Sequence, residues 1–242
     1  MVRTFCIANQ KGGVGKTTTA ISLADALAKS GGKTLLVDLD PQCNATSGLY
    51  VKPLNAHPFV AGTPLVDSIV PMRTDNLHLL PGIGNPDDVR RLTQADQRLT
   101  KQIRDQLSRE LNGYDFVLFD CPPSLGNLTQ IALSASTAVW IPIQCEFFAM
   151  QGFRQMVEAT TREKLESGGV LLTMYDASLE LTLDVEAEVR DFCGEVVFNT
   201  VIPRDDAFSW ASSNGLPILD YAPRSRGARA YTELCMEVLQ RD

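Results

Sequence analysis

The feature that most constrains the fold is a glycine-rich segment directly after a short apolar run near the N-terminus. Residues 4–8 are predicted to form a strand, and the following residues read N-Q-K-G-G-V-G-K-T-T-T-A. Gly12, Gly13 and Gly15 allow the backbone to turn tightly with its amide groups pointing inward. A helix beginning at Lys16 would add its N-terminal amides and its dipole, which favour an anion. The segment therefore predicts a phosphate-binding loop between a strand and a helix.

The polar side chains of this loop suit ATP with Mg²⁺. We expect the Lys16 ammonium to reach the β- and γ-phosphates, the Thr17 hydroxyl to coordinate Mg²⁺ and Thr18 to hydrogen-bond the α-phosphate. A simple glycine-rich turn is the alternative, but strand, loop and helix all fall where phosphate binding requires them. The predicted loop set is Lys11, Gly12, Gly13, Val14, Gly15, Lys16, Thr17 and Thr18.

The rest of the chain alternates short apolar runs with amphipathic segments. This pattern predicts an α/β fold of the P-loop NTPase type, with a doubly wound, mostly parallel sheet and helices on both faces, as one domain over residues 1–242. Predicted strands are 4–8, 34–38, 77–81, 116–120, 138–143, 170–174 and 196–202. Predicted helices are 16–30, 87–111, 128–136, 152–166, 181–192 and 227–240.

Acidic residues stand where two predicted strands end. Asp38 ends the second strand and Asp40 begins the loop after it, while Asp120 ends a run of four apolar residues. The carboxyl ends of parallel strands meet at one edge of a sheet, so these carboxylates should lie near the phosphates. One carboxylate near Mg²⁺ and one near the attacking water would suit hydrolysis. A capping role is the structural alternative for an acid at a strand end.

Three motifs carry a resemblance to a known family. K-G-G-V-G-K-T-T resembles the deviant Walker A motif of the ParA/MinD superfamily of P-loop ATPases. This chain differs from the usual Walker A pattern because Gln10 stands in place of its first glycine and Lys11 stands at the head of the loop. D-L-D-P-Q-C-N-A-T and D-C-P-P-S-L-G are similar to its switch and Walker B segments, and the likeness is closest to ParA proteins of the Soj type.

The resemblance implies a role for each matching residue. Lys11 would contact the nucleotide of a partner subunit in an ATP-bound homodimer; without the resemblance, it could be solvated or contact the phosphates within its own subunit. Asp40 would orient or activate the water, with Asp38 near the metal's water shell and Asp120 holding Mg²⁺ through water. The segment F-N-T-V-I-P-R-D resembles a family segment that lies beside the adenine. By this resemblance, Pro203 and Arg204 are expected to contact the base.

The chain departs from the family where ParA proteins bind non-specific DNA through arginines. Ser178 and Ala207 stand at those two positions. Between residues 165 and 222 the only cations are Arg190 and Arg204, against eleven acids. Such a surface repels a duplex, because phosphate binding depends on Lys and Arg. A basic face on residues 98–104 is an alternative DNA site, although interleaved acids favour a solvated helix there.

Composition limits the remaining choices. A net charge of −7 with a pI of about 4.9 argues against a generally basic nucleic-acid binder. No apolar run is long enough to span a bilayer and no signal peptide is recognisable, so we expect a cytoplasmic location. The C-terminal residues are too acidic for the membrane-binding helix of MinD relatives. Six scattered cysteines form no zinc pattern, and whether Cys43 occupies a position needing positive φ is left to the structure.

The resemblance implies an ATPase that is slow without an activator. It would segregate DNA, as in plasmid or chromosome partition, or position a cargo, with a ParB-like protein or a cargo adaptor as partner. A nucleotide-switched scaffold or regulator that does not bind DNA is the second hypothesis, and the acidic segment favours it.

Overall fold

Seven strands form one sheet. The two strands that carry Asp38 and Asp120 at their carboxyl ends are buried along their whole length. The computed structural model describes residues 2–146 and 166–241. The strand order is β3-β4-β2-β5-β1-β6-β7, parallel except that β3 runs antiparallel to β4. The strands are β1 Arg3–Ile7, β2 Thr34–Asp38, β3 Val70–Pro71, β4 Leu77–Leu80, β5 Phe116–Asp120, β6 Ala138–Gln144 and β7 Glu166–Thr173.

Helices cover both faces of the sheet, as a parallel sheet with continuous apolar strands requires. They are α1 Lys16–Lys29, α2 Asn44–Ser47, α3 Pro58–Ala61, α4 Pro86–Thr93, α5 Gln97–Glu110, α6 Asn127–Ala135, α7 Glu180–Cys193, α8 Ala207–Ser213, α9 Ile218–Tyr221 and α10 Arg226–Gln240. One face packs against α1 and α10, whereas the other carries α5, α6 and α7. The predicted doubly wound α/β fold is confirmed.

Two predicted elements are wrong, and a third lies mostly outside the described residues. Residues 196–202 are not a strand: Val196 ends a 3-10 turn, and the extended segment after it is joined to β7 by one isolated bridge, at Val197. Val197 and Ile202 pack inward without a regular ladder. The helix predicted over 87–111 is two helices, since Asp96 caps α5 by accepting a hydrogen bond from the Leu99 amide. The helix predicted over 152–166 falls outside the described residues except at Glu166, where β7 begins.

The sheet brings the carboxyl ends of β1, β2 and β5 to one edge. Strand β5 lies between β1 and β2, and Asp38 on β2 stands opposite Asp120 on β5 in the register. The glycine-rich loop leaves β1 at the same edge and enters α1. This edge is the position at which open α/β sheets bind ligands. Within residues 2–146 and 166–241, no helix combines the length and the apolar character needed to cross a membrane.

A buried histidine predicts how acid weakens the fold. His57 is fully buried, and burial lowers its pKa to about 4 from 6.5 although Asp88 opposes the shift. Between those pH values the unfolded chain binds a proton that the native chain does not, so stability falls as the pH decreases from about 6.5 to about 4. We expect this group to remove about 2 kcal/mol between pH 7 and pH 5.

The measurement is urea unfolding of the wild-type protein and a His57→Asn variant at both pH values. The variant keeps a side-chain acceptor at the start of α3, where His57 accepts a hydrogen bond from the Phe59 amide. It should lose about 2 kcal/mol less than the wild type on acidification. The partly exposed His78 supplies the control variant His78→Asn, for which the difference should be smaller. Equal acid sensitivity of wild type and His57→Asn would contradict the prediction.

Candidate nucleotide site

The glycine-rich loop has the backbone geometry of an anion nest. Gly13 and Gly15 have φ values of 76° and 88°, which residues with a Cβ adopt only with strain. Asn9 holds the loop to the sheet by donating to the Pro142 carbonyl over 2.7 Å and accepting from the Lys11 amide over 3.0 Å. The loop is therefore preformed, with α1 beginning directly after Gly15.

Strand β7 supplies a second tie to the loop. The Thr173 hydroxyl donates to the Val14 carbonyl over 3.0 Å. Sequence reasoning missed Thr173 and Asn9, because each acts through a backbone group that is distant along the chain. The only signal for either was its place at the end of a predicted strand.

Lys16 lies beneath the loop and is nearly buried. Its Nζ donates to the Lys11 carbonyl over 2.9 Å. Burial lowers the pKa of the Lys16 ammonium, and the nearby carboxylates of Asp120 and Asp40 oppose this shift. A buried ammonium with one neutral partner is poised to exchange that partner for an anion.

Asp120 is buried without a hydrogen bond of good geometry from the described residues. Both of its oxygens are inaccessible and neither accepts a hydrogen bond of good geometry from the described residues. Burial raises the pKa of Asp120 well above its ordinary value, Asp38 adds to the shift, and Thr17 and Lys16 oppose it. An unpaired buried carboxylate is costly, and its retention points to a partner that is bound during function.

Asp38 differs from Asp120 in that both of its oxygens are engaged. It accepts hydrogen bonds from the Thr46 amide over 2.8 Å, from the Thr46 hydroxyl over 2.6 Å and from the Asp40 amide over 3.2 Å. Burial raises the pKa of Asp38 as well, although these donors oppose it. Asp38 therefore organises the loop that carries Asp40 and α2.

Asp40 faces the same site from the start of that loop. It is nearly buried and accepts a hydrogen bond from the Gln42 amide over 2.9 Å, which leaves its second oxygen available. The structure thus brings Lys16, Asp38, Asp40 and Asp120 together, as the sequence predicted.

Cys43 occupies a left-handed conformation at the N-terminus of α2. Its φ is 52°, so the position does favour glycine, and the cysteine bears the strain. The Sγ atom lies 3.5 Å from the Ile83 carbonyl and packs against Gly82, where a Cβ would approach to 2.7 Å. Burial raises the pKa of the Cys43 thiol to about 11, so this cysteine is a packing residue.

The donors present fit Mg²⁺ held jointly with a nucleotide. Thr17 and Asp120 offer the hard oxygen ligands that Mg²⁺ prefers, and the orphaned carboxylate of Asp120 gives that fit a structural basis. Across residues 2–146 and 166–241, no group of three or more His, Cys, Asp or Glu side chains is arranged to hold a metal alone. Phosphate oxygens and water would have to complete the shell.

A cavity of about 360 Å³ adjoins the loop. Gly15 and Thr18 form one side, and Pro203 and Arg204 form part of the other. The latter pair is held in place because Tyr175 donates its amide to the Ile202 carbonyl and accepts from the Arg204 amide. The predicted Pro203 and Arg204 therefore lie next to the phosphate-binding loop.

The cavity also contains residues that the sequence did not indicate. Met174, which has a φ of 51°, and Phe208 of α8 contribute apolar surface suited to an aromatic base. The position of Met174 at the carboxyl end of β7 was a usable signal, whereas nothing in the sequence places α8 here.

The surface around Ser178 and Ala207 carries acids and two arginines, because Arg204 and Arg226 line a cavity together with Asp176, Asp205 and Asp206. Ser178 hydrogen-bonds Asp176 through its amide and its hydroxyl, and the Ala207 amide donates to Asp205. Arg190 is engaged with Glu186 over 2.7 Å. Helix α5 carries a separate set of exposed cations, namely Arg98, Lys101 and Arg104. Asp105 is exposed on the same helix.

Lys11, at the head of the loop, forms an ion pair with Glu146, which follows β6. The structure therefore engages Lys11 within its own chain. Sequence reasoning did not single out Glu146.

Comparisons with known proteins agree with this geometry. A family model described as an AAA domain matches residues 2–167. The chain is 45% identical over 250 residues to the chromosome-partitioning ATPase Soj of Thermus thermophilus, covering 99% of this chain and 96% of that protein. It is 40% identical over 254 residues to the chromosome partitioning protein ParA of Caulobacter vibrioides, covering 100% of this chain and 95% of that protein.

A solved structure with a bound nucleotide is also similar. The septum site-determining protein MinD of Pyrococcus horikoshii, complexed with Mg-ADP, superimposes with a TM-score of 0.83 at 27% identity. The match covers 99% of this chain and 97% of that one.

Proposed function

The chain belongs to the ParA/MinD family of P-loop ATPases. We propose that it binds ATP with Mg²⁺, forms a dimer in the ATP-bound state and hydrolyses the ATP slowly. The cycle would segregate DNA or position a cargo, with a ParB-like protein or an adaptor accelerating hydrolysis. The observation that carries the proposal is Asp120, which is buried beside Lys16 near a preformed glycine-rich loop and accepts no hydrogen bond of good geometry from the described residues. Soj and ParA relatives that match the whole chain, and MinD solved with Mg-ADP, support it.

The loop would bind the triphosphate, and two of its side chains would place charge where the reaction needs it. Backbone amides from Gly12 to Thr18 cradle the phosphates, and Lys16 exchanges the Lys11 carbonyl for phosphate oxygens. Thr17, and Asp120 through water, would hold Mg²⁺. Magnesium, when bound, neutralises charge on the β- and γ-phosphate oxygens.

The acidic loop would handle the attacking water. Asp40 orients the water and accepts its proton, using the oxygen that is not bonded to Gln42. Asp38 holds the Asp40 backbone in place by accepting from its amide, and it would lie near the metal's water shell. Lys11 is assigned to the nucleotide of the partner subunit, where a cation stabilises the developing charge. Pro203 and Arg204 would contact the base.

A second candidate function is a nucleotide-switched scaffold or regulator that does not bind DNA. The acids that hydrogen-bond Ser178 and Ala207, where the family has arginines, favour it, because a duplex is bound by neutralising phosphates. Both candidates share the ATP site and differ in what the dimer binds.

The decisive experiment uses an Asp40→Ala variant with ATP and Mg²⁺. We expect hydrolysis to fall by about 10²- to 10³-fold, because the water loses its base, while ATP binding persists and the dimer accumulates. Phosphate release measures the first effect and analytical ultracentrifugation the second. A matched variant, Asp191→Ala, removes an exposed acid of α7 and should leave hydrolysis unchanged.

The trapped dimer then separates the two candidates. Salt-sensitive binding to a random-sequence duplex that requires ATP would support DNA segregation, with cations outside the usual positions. A dimer that ignores DNA would support the scaffold. Hydrolysis by Asp40→Ala at the wild-type rate would contradict the assignment of Asp40.

A further inference from the structure

Helix α7 exposes large apolar side chains where it begins. Of the ten large apolar side chains that are exposed among the described residues, three fall within five consecutive positions, namely Leu179, Leu181 and Leu183. Leu179 and Leu183 are 53% and 48% exposed, and their spacing of four residues puts them on the same side of the helix. Exposed apolar side chains that cluster in this way mark interaction surfaces.

These leucines serve neither the core nor the helix. The buried residues of α7 are Thr182, Val185 and Val189. Leu179 occupies the N-cap position and its side chain makes no capping hydrogen bond, although leucine is among the least favourable residues at that position. A polar residue there would stabilise α7, so the leucine points to a contact outside the chain.

A row of acids runs along α7 beside the leucines. Five acids between residues 180 and 195 are exposed, and the first three are spaced by four residues: Glu180, Asp184, Glu188, Asp191 and Glu195. The sequence from 177 to 195 contains one cation, Arg190, which is engaged with Glu186. The exposed side of α7 therefore combines apolar surface with negative charge that its own residues do not neutralise.

We propose that the exposed face of α7 docks a cationic amphipathic helix of a partner protein. The apolar stripe of that helix would cover Leu179 and Leu183, and Lys or Arg on the adjoining stripe would face Glu180 and Asp184. Charge complementarity selects this occupant, because the same acids repel the phosphates of a duplex and of an anionic membrane. The inference goes beyond the proposed function, since docking here uses no residue of the nucleotide site.

The docking face lies close to the nucleotide site without being part of it. The Tyr175 hydroxyl donates to Glu186 of α7, and the Tyr175 backbone holds the segment that contributes Arg204 to the base cavity. Arg204 and Arg226 lie near Ser178 at the start of this surface, but they share a cavity with three aspartates and so do not offset the acids of α7. A partner on α7 would thus sit beside the base cavity and leave its lining residues uncovered.

The experiment measures binding of a fluorescent probe peptide by anisotropy, in nucleotide-free protein. The probe has about 18 residues of leucine, alanine and lysine, arranged so that a helix carries leucine and lysine on adjacent stripes. A scrambled peptide of the same composition and charge has no such stripes. The wild-type protein should bind the probe more tightly than the scrambled peptide, and salt should weaken the binding.

Two pairs of substitutions test the two parts of the face. Leu179→Ser/Leu183→Ser should weaken probe binding by about 10- to 100-fold, because each leucine loses the apolar area that the probe covers. Glu180→Gln/Asp184→Asn should weaken it by about 2- to 25-fold, as expected for two exposed ion pairs. All four side chains are exposed, and thermal unfolding checks that the fold is retained.

Matched variants on other surfaces are the controls. Met236→Ser/Leu239→Ser removes two exposed apolar side chains of α10, and Asp75→Asn/Glu233→Gln removes two exposed acids. Both control variants should bind the probe within about 2-fold of the wild type.

Three results would overturn the proposal. The first is equal binding of the probe and the scrambled peptide, which would mean attraction by net charge alone. The second is unchanged probe affinity in both variants of α7. The third is a wild-type protein that self-associates through Leu179 and Leu183 in analytical ultracentrifugation and does not bind the probe, which would assign the face to a second copy of this chain.

Discussion

Replacing Asp120 with alanine should make the nucleotide-free protein more stable and nearly abolish hydrolysis. The carboxylate is fully buried and accepts no hydrogen bond of good geometry from the residues that the structure describes, so its removal relieves a desolvation cost of about 1–3 kcal/mol. For a chain of this size, that corresponds to an increase in Tm of roughly 2–10 °C. Hydrolysis should fall by about 10²- to 10³-fold, because Asp120 is assigned to Mg²⁺.

Thermal unfolding with and without MgATP measures both effects. The wild-type protein should gain stability from MgATP, whereas Asp120→Ala should gain much less. A nucleotide-free variant that melts below the wild type would show that Asp120 has a structural partner and would contradict the prediction.

Asp38→Ala is the matched control, because Asp38 is equally buried and lies opposite Asp120 in the sheet. It accepts three hydrogen bonds from the switch loop, and its loss leaves the amides of Thr46 and Asp40 unpaired. The free energy of unfolding should therefore fall by about 1–3 kcal/mol. Two neighbouring aspartates should thus shift stability in opposite directions.

The second large effect is expected for Lys16→Met. Removing this ammonium deletes the main charge-assisted contact with the phosphates, so ATP affinity or turnover should fall by about 10²- to 10³-fold. The fold should persist, because Lys16 is nearly buried and donates only to the Lys11 carbonyl among the described residues. Titration with a fluorescent ATP analogue and a phosphate-release assay measure the two losses.

Lys33→Met tests whether the effect belongs to the site. Lys33 is exposed just before β2, at the opposite edge of the sheet, with its Nζ 4.9 Å from the centre of the Tyr114 ring. The same change of charge there should leave ATP affinity within about 2-fold of the wild type. Similar losses in both variants would mean that net charge, and not the loop, determines nucleotide binding.

The sequence by itself determined the elements whose signals are local. Strands β2 and β5 lie where they were predicted, because their buried residues include a continuous apolar run of three in β2 and four in β5. The loop was also predictable, since its glycines must supply positive φ and Lys16 must begin a helix. From these followed the meeting of Asp38 and Asp120 at one edge of the sheet.

Only the tertiary structure decided features that depend on contacts distant along the chain. Helix α8 enters the base cavity through Phe208, and residues 196–202 pack inward without joining the sheet as a strand, although their composition is that of a strand. A propensity describes one segment, whereas pairing depends on the neighbours that the fold provides.

The difference in hydrogen bonding between Asp38 and Asp120 could not be predicted from the sequence either. Both are acids at the ends of buried strands, yet one accepts three hydrogen bonds and the other accepts none of good geometry from the described residues. Likewise, the ion pair between Lys11 and Glu146 joins residues 135 positions apart, which only the adjacency of β1 and β6 brings together. Residue types and their spacing specify which chemical groups are present. Strand order and packing decide the partners of a buried charge, because the electrostatic energy of that charge depends on the few atoms nearest to it.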